Sequence, residues 1–244
     1  MGLARGIDVS TWQHPGGKPI DWWVVAEAGY TFVAIKATQG TGYVNPWFER
    51  DYEDAFAAGL LVGAYHYFVA GEDPAAQAQH FVGTLIGKRL EAHAWLDFEV
   101  APVTNWTAAG WANGFLEACK DGRPGVGLYC DQSWWDELRG ANVTPPALWL
   151  AGPSLTEPPP GATLWQCAPS DVPGVPAPVD VDYLVSTRGL NLPSAPAPKP
   201  SPTVVRVPEP DPEDDAEVSP EDDADGGPDA EGSPMVVGGA QEQS

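Results

Sequence analysis

The sequence predicts an α/β fold: an irregular TIM-like barrel of eight strands with fewer than eight helices, followed by a disordered acidic tail. Three observations carry that reading. Short apolar runs of strand type alternate with helical patterns over the first two thirds of the folding part, which argues for a parallel sheet. In its last third the short strands follow one another with no helix between them. About eight strands over some 190 residues suit a barrel with several helices missing. The third observation is a break in composition at Pro193, so residues 1–192 read as one barrel domain and 193–244 as a Pro-rich tail.

Gly6-Ile7-Asp8-Val9-Ser10 is the first strand, with Ile7 and Val9 on one face and Asp8 on the other. A loop marked by Pro15, Gly16 and Gly17 follows, and His14 within it is given no role. Asp21 then caps a helix that ends at Gly29. Residues 31–38 are almost continuously apolar, as expected of a parallel strand covered on both faces. A helix over 48–58 leads to a third strand, 61–68, where Tyr65 and Tyr67 share one face and His66 lies on the other. A histidine in such an aromatic strand reads as a satisfied core residue. Asp73-Pro74 opens the next helix, with the acid at the cap and proline in the first turn. Residues 94–100 form the fourth strand, 107–120 a helix, 125–130 a strand and 133–139 a short helix. Strands at 147–151, 162–167 and 179–184 close the ordered part.

Composition excludes several classes. The net charge is −22, and half of it lies beyond residue 198, where 13 acids stand against 2 bases. Neither part offers a basic patch, so nucleic acid is not an expected partner. The tail from Pro193 holds 11 of the 27 prolines and no aromatic residue. It cannot bury enough apolar surface to offset its ordering entropy and is expected to be disordered. Cys119, Cys130 and Cys167 lack metal-binding spacing and are expected to be reduced and inert. No metal and no cofactor are expected, since the glycines of Gln39-Gly40-Thr41-Gly42 fit neither nucleotide fingerprint. No apolar run is long enough for a signal peptide or a membrane span. A monomer is expected.

The chemistry concentrates in Ala94-Trp95-Leu96-Asp97-Phe98-Glu99-Val100. In a strand Asp97 and Glu99 point the same way, with Cα atoms about 6.6 Å apart. An apolar strand tolerates two acids poorly unless something pairs or uses them. Adjacent carboxyls split each other's pKa values, leaving one as an acid and one as a base, which is the equipment of glycoside hydrolysis. Asp8 and Asp180 also fall within or near the ends of expected strands, where barrels carry their function.

Taken as ordered blocks, these stretches resemble the family 25 glycoside hydrolases, the lysozymes of phages, bacteria and fungi. The blocks are Gly6-Ile7-Asp8-Val9-Ser10 with Gln13, Ile35-Lys36-Ala37-Thr38-Gln39-Gly40, Gly63-Ala64-Tyr65-His66-Tyr67-Phe68 with Gln77-Ala78, Leu96-Asp97-Phe98-Glu99, Trp165-Gln166, and Val179-Asp180-Val181-Asp182. They span about residues 5 to 190. The resemblance implies an irregular eight-stranded barrel and hydrolysis of the β-1,4 bond between N-acetylmuramic acid and N-acetylglucosamine in peptidoglycan. It implies Glu99 as general acid and later base, Asp97 as its partner carboxylate, and Asp8 and Asp180 as further acids of the site. It implies retention, with Asp97 orienting the sugar's acetamido group. Asp182 stands where the family often has Asn, and Gln39 where it often has an acid. Tyr65, Tyr67, Tyr129, Trp149, Gln166 and Asp182 are the candidate sugar-binding residues, although each aromatic could equally fill the core. The resemblance, with no signal peptide in view, points to a phage lysin made in the host cytoplasm that reaches the wall after release or from a virion. A chitinase-like hydrolase, and a non-catalytic barrel that binds glycan or builds a virion, are the competing readings.

Overall fold

The computed structural model describes residues 3–99, 105–120 and 125–190. The expected tail, 193–244, and Val100 of the acidic strand lie outside the described residues. Nine strands and five α-helices occur among the described residues: β1 (Ala4–Val9), α1 (Trp22–Glu27), β2 (Phe32–Gln39), β3 (Tyr43–Val44), α2 (Phe48–Ala57), β4 (Leu61–Tyr67), α3 (Pro74–Thr84), β5 (Ala94–Asp97), α4 (Asn105–Cys119), β6 (Val126–Asp131), α5 (Gln132–Gly140), β7 (Leu148–Ala151), β8 (Leu164–Ser170) and β9 (Val179–Leu184). Eight of the strands close a barrel in the order β1-β9-β8-β7-β6-β5-β4-β2, with β2 returning to β1 in register Gly6 to Phe32 and Val9 to Ile35. β3 is a two-residue addition on the end of β2. Closure leaves those eight strands without a free edge.

Strand alternation sorts the core into two shells. Phe32, Ala34, Tyr65, Trp95, Tyr129, Trp149 and Leu164 pack together inside the barrel. Ile7, Val33, Ile35, Val62, Leu96, Leu128 and Leu150 face outward, onto Trp22, Phe81, Phe115 and the other helix residues. The interior admits such large rings because small residues stand opposite them. A Cβ on Gly6 would lie 2.3 Å from the ring of Phe32, and one on Gly127 2.4 Å from that of Trp95.

The helix starts follow side-chain caps. Asp21 accepts from the Val24 amide at 3.2 Å, and Asp73 from Ala76 at 2.7 Å, ahead of Pro74. Asp131 caps α5 in the same way, accepting from Trp134 at 2.7 Å. His66 is a satisfied core residue: its ring nitrogens meet Thr38 Oγ1 at 2.7 Å and Gln77 Oε1 at 3.1 Å. The three cysteines are free, and Cys167 is only half-buried.

Two expectations need correction. The acidic strand stops at Asp97, so Glu99 lies past its end. The barrel is also not wholly parallel. β9 runs antiparallel to both β1 and β8. Asp180 therefore enters the barrel mouth from the beginning of its strand, where Asp8 and Asp97 enter from near the ends of theirs.

Candidate active site

Inward-facing positions at one end of the barrel form a cleft of about 350 Å³. Parity explains its lining. Lys36 continues the inner face of Phe32 and Ala34, Tyr67 that of Tyr65, Asp97 that of Trp95, and Gln166 that of Leu164. Lower positions are apolar and fill the barrel, while the upper ones are polar and line the cleft. Across the sheet Tyr67, Asp97 and Tyr129 stand in one row, because β4, β5 and β6 are paired in that register. Asp8 and Asp180 face each other across β1 and β9.

Of the expected site residues, Asp8, Asp97, Glu99, Asp180, Tyr65, Tyr67, Tyr129, Trp149 and Gln166 all line this cleft. Asp182 does not. It is 0 % exposed, and it accepts a hydrogen bond from Trp149 Nε1 at 2.8 Å. It therefore has no surface to offer a sugar, which corrects its expected binding role. Trp149 is itself packed among Tyr65, Trp95 and Tyr129 and is as much core as cleft.

The acid pair is asymmetric. Asp97 is 8 % exposed and Glu99 is exposed. Burial, then the charge of Glu99, pushes the Asp97 carboxyl well above the usual range, with Lys36 pulling it partly back. Asp97 Oδ1 is buried without a hydrogen-bond partner. Asp8 is raised to about 7, first by burial and then by Asp180, with hydrogen bonds from Gln166 and Asp182 opposing. Asp180 is raised by burial and by Glu99. Such crowding of acids is what lets some remain protonated near neutrality.

Hydrogen bonds tie the two sides of the cleft together. Gln166 Nε2 donates to Asp8 Oδ2 at 2.8 Å, and Tyr129 Oη lies 2.7 Å from Gln166 Oε1 and 3.2 Å from Glu99 Oε1. Lys36, half-buried, is the one cation among the described residues of the lining. Its Nζ donates to Gln39 Oε1 at 2.6 Å and lies 4.6 Å from the centre of the Tyr67 ring. Burial lowers its pKa, while Asp97 and Glu99 act to raise it.

The sequence does not single out Lys36, Ser10 or Trp12 as site residues. A lone lysine in a strand otherwise apolar is the only signal for the first. Trp12 stands 83 % exposed at the cleft, on a 3-10 turn whose capping box joins Ser10 and Gln13. A tryptophan beside that Ser-x-x-Gln pattern is the signal there.

The family model described as glycosyl hydrolases family 25 matches residues 7–171. The chain belongs to that family. It is 38 % identical over 96 residues to an autolytic lysozyme of Clostridium acetobutylicum, an overlap of 39 % of this chain and 28 % of that one. It is 32 % identical over 149 residues to lysozyme M1 of Streptomyces globisporus, covering 56 % and 49 % respectively. The chain thus spans less than half the length of these two relatives. Its fold is similar to that of the bacterial lysozyme from Streptomyces coelicolor, with 28 % identity, TM-score 0.66, and coverage of 76 % of this chain and 94 % of that one. The family 25 match takes in Asp8, Asp97, Glu99 and Gln166 of the cleft; Asp180 lies beyond its end.

Proposed function

We propose that this chain is a muramidase, hydrolysing the β-1,4 bond between N-acetylmuramic acid and N-acetylglucosamine of peptidoglycan with retention. The observation that carries the reading is the pair at the end of β5: a buried Asp97 and an exposed Glu99 in one cleft. Glu99 is the acid that a glycosidic oxygen can reach, and Tyr129 holds it at 3.2 Å. Geometry of this kind is the first requirement of a general acid. Glu99 protonates the leaving oxygen and then, as the base, takes a proton from the incoming water.

Asp97, beneath it, orients the acetamido group of the sugar and stabilises positive charge as that group closes on the anomeric carbon. Asp8 and Asp180 line the opposite side of the cleft as further acids. The lysozyme and muramidase names of the family relatives agree with this substrate class. The reading extends to a lysin that acts on the wall from outside the cell that made it.

Mass spectrometry of soluble products from purified peptidoglycan, with Glu99→Gln alongside, tests the proposal. Fragments with N-acetylmuramic acid at the reducing end, made only by the wild type, are expected. Fragments ending in N-acetylglucosamine would overturn the bond assignment. Activity on chitin alone would favour a chitinase-like hydrolase, and binding without fragments a non-catalytic barrel.

A further inference from the structure

Lys36 is a half-buried cation that the proposed chemistry leaves without a task. The cleft it lines also holds Asp8, Asp97, Glu99 and Asp180. Among the described residues, the one hydrogen bond from its Nζ goes to a neutral acceptor, Gln39 Oε1 at 2.6 Å, and no carboxylate forms an ion pair with it. The ring centres of Tyr67 and Tyr43 lie 4.6 Å and 5.8 Å away. An ammonium carries three protons, so two remain for an acceptor that enters the cleft.

The backbone holds the ammonium in that place. Residues three apart on a regular strand face opposite sides. In the pairing of β2 with β4, however, the register shifts between Lys36 and Thr38, so that Lys36 stands opposite Tyr65 and Gln39 opposite Tyr67. Such a bulge re-aims a side chain. Here it brings Gln39 to the same side as Lys36. Asn45 Nδ2 donates to the Lys36 carbonyl at 2.7 Å and fixes the backbone as well. A neutral amide orients the charge of Lys36 without cancelling it.

We infer, on the muramidase reading above, that Lys36 is a specificity-determining residue that binds the lactyl carboxylate of N-acetylmuramic acid, favouring glycan strands freed of their stem peptides. That sugar differs from N-acetylglucosamine only in the lactyl ether on C3. Glu99, tied to Tyr129 of β6, serves the bond at C1, and Asp97 of β5 serves the acetamido group on C2. Next in the sheet come β4 and then β2, which carries Lys36. C1, C2 and C3 thus follow the order of the strands. The backbones of β5 and β2 are two strand spacings apart, about 10 Å, which a lysine side chain and a lactyl group span between them. The acids of the cleft repel an anion elsewhere, so its carboxylate is accepted only at the cation.

The test uses two soluble substrates of equal length: peptide-free glycan strands with free lactyl carboxylates, and the same strands with those groups converted to neutral methylamides. The ratio of KM on methylamide strands to KM on carboxylate strands should fall roughly 10- to 100-fold from wild type to Lys36→Met, the weight of a hydrogen bond to a charged group. The KM on methylamide strands should stay nearly constant. Gln39→Glu, which sets an acid against the ammonium, should lower the ratio in the same direction. An unchanged ratio in Lys36→Met would overturn the inference. An effect of Lys36→Met confined to strands that still bear stem peptides would place the anion on the peptide and overturn the lactyl assignment. Calorimetric Kd values for the same strands give the comparison without turnover. If neither strand is cleaved but wild type prefers the carboxylate form and Lys36→Met does not, the muramidase reading fails and the carboxylate site stands. If wild type and Lys36→Met cleave both strands with the same preference, the muramidase reading stands and the role of Lys36 fails.

Discussion

Two buried aspartates in this molecule each accept a hydrogen bond from an indole, and they differ in what meets the other oxygen. Asp51, on α2, accepts from Trp22 Nε1 at 3.2 Å, and its remaining oxygen lies 2.8 Å from His14 Nε2. Asp182, on β9, accepts from Trp149, and its remaining oxygen has no donor. The Asp51 carboxyl is closed on both sides by donors and ties the loop after β1 to α2, with His14 stacked on Trp47 at 3.9 Å. The Asp182 carboxyl instead lies buried beneath the cleft, where the charge of Asp8 is among the causes that raise it. A buried acid closed by donors holds structure together, whereas burial and the neighbouring acid Asp8 push the carboxyl of Asp182 upward with one oxygen left unmatched. Burial alone does not distinguish them, because it raises the pKa of both.

The largest effect that sharpens this contrast is expected at the cleft. Glu99→Gln should lower turnover by about 10²–10⁴-fold with the melting temperature unchanged, since general acid catalysis has that weight. A variant that keeps more than about a tenth of the rate would contradict the role of Glu99. Next is the structural acid. Asp51→Ala leaves His14 Nε2 and Trp22 Nε1 buried without their partner and should destabilise by about 1–3 kcal/mol or more in denaturant unfolding, the cost of an unsatisfied buried polar group. An unchanged unfolding midpoint would erase the distinction drawn between Asp51 and Asp182.

The cleft acids should work in the reverse direction on stability. Asp8, at about 7 in the folded chain against an ordinary value of 3.8, keeps a proton that the unfolded chain has released. Its contribution is therefore complete below about pH 4 and is lost as pH rises through about 7. Asp8→Asn should flatten the fall in melting temperature across that window and exceed wild type above it, while losing activity. A parallel fall in both proteins would show that Asp8 does not titrate there. The smallest effect is expected at Trp12. Trp12→Ala should raise KM by roughly 2- to 12-fold, the equivalent of about 0.5–1.5 kcal/mol of ring stacking, with folding unaffected. An unchanged KM would mean that this exposed ring makes no contact with the glycan.

Much of this architecture is legible in the residues alone. The Asp97-x-Glu99 pair stands out because two acids at strand spacing in an apolar run need a reason to be there. Tyr65 and Tyr67 are readable as one face by the same period of two, and Asp21 and Asp73 as helix caps. Lys36 is not legible in this way, because a single lysine in a strand has the same local pattern whether it points to solvent or into a barrel mouth. Asp182 carries the same period as Asp180, and nothing local distinguishes the one that reaches the cleft from the one that stops beneath it. The assignment of burial within the acid pair is also hidden, since β5 ends at Asp97 and Glu99 lies beyond the strand's alternation.

The sequence by itself determined the alternation that makes a barrel, the parity that puts acids and tyrosines on the inner face, and the acids and tyrosines of the cleft. These depend on hydrophobic period and on caps, which act over a few residues. Only the tertiary structure decided the antiparallel entry of β9, the buried position of Asp182 against Trp149, and the hydrogen bonds that link Asp8, Gln166, Tyr129 and Glu99. Those are set by closing β1 against β2 and β9 with residues more than 150 positions apart meeting, as Gln166 meets Asp8. No local pattern encodes the strand direction or the partner of a side chain at that distance.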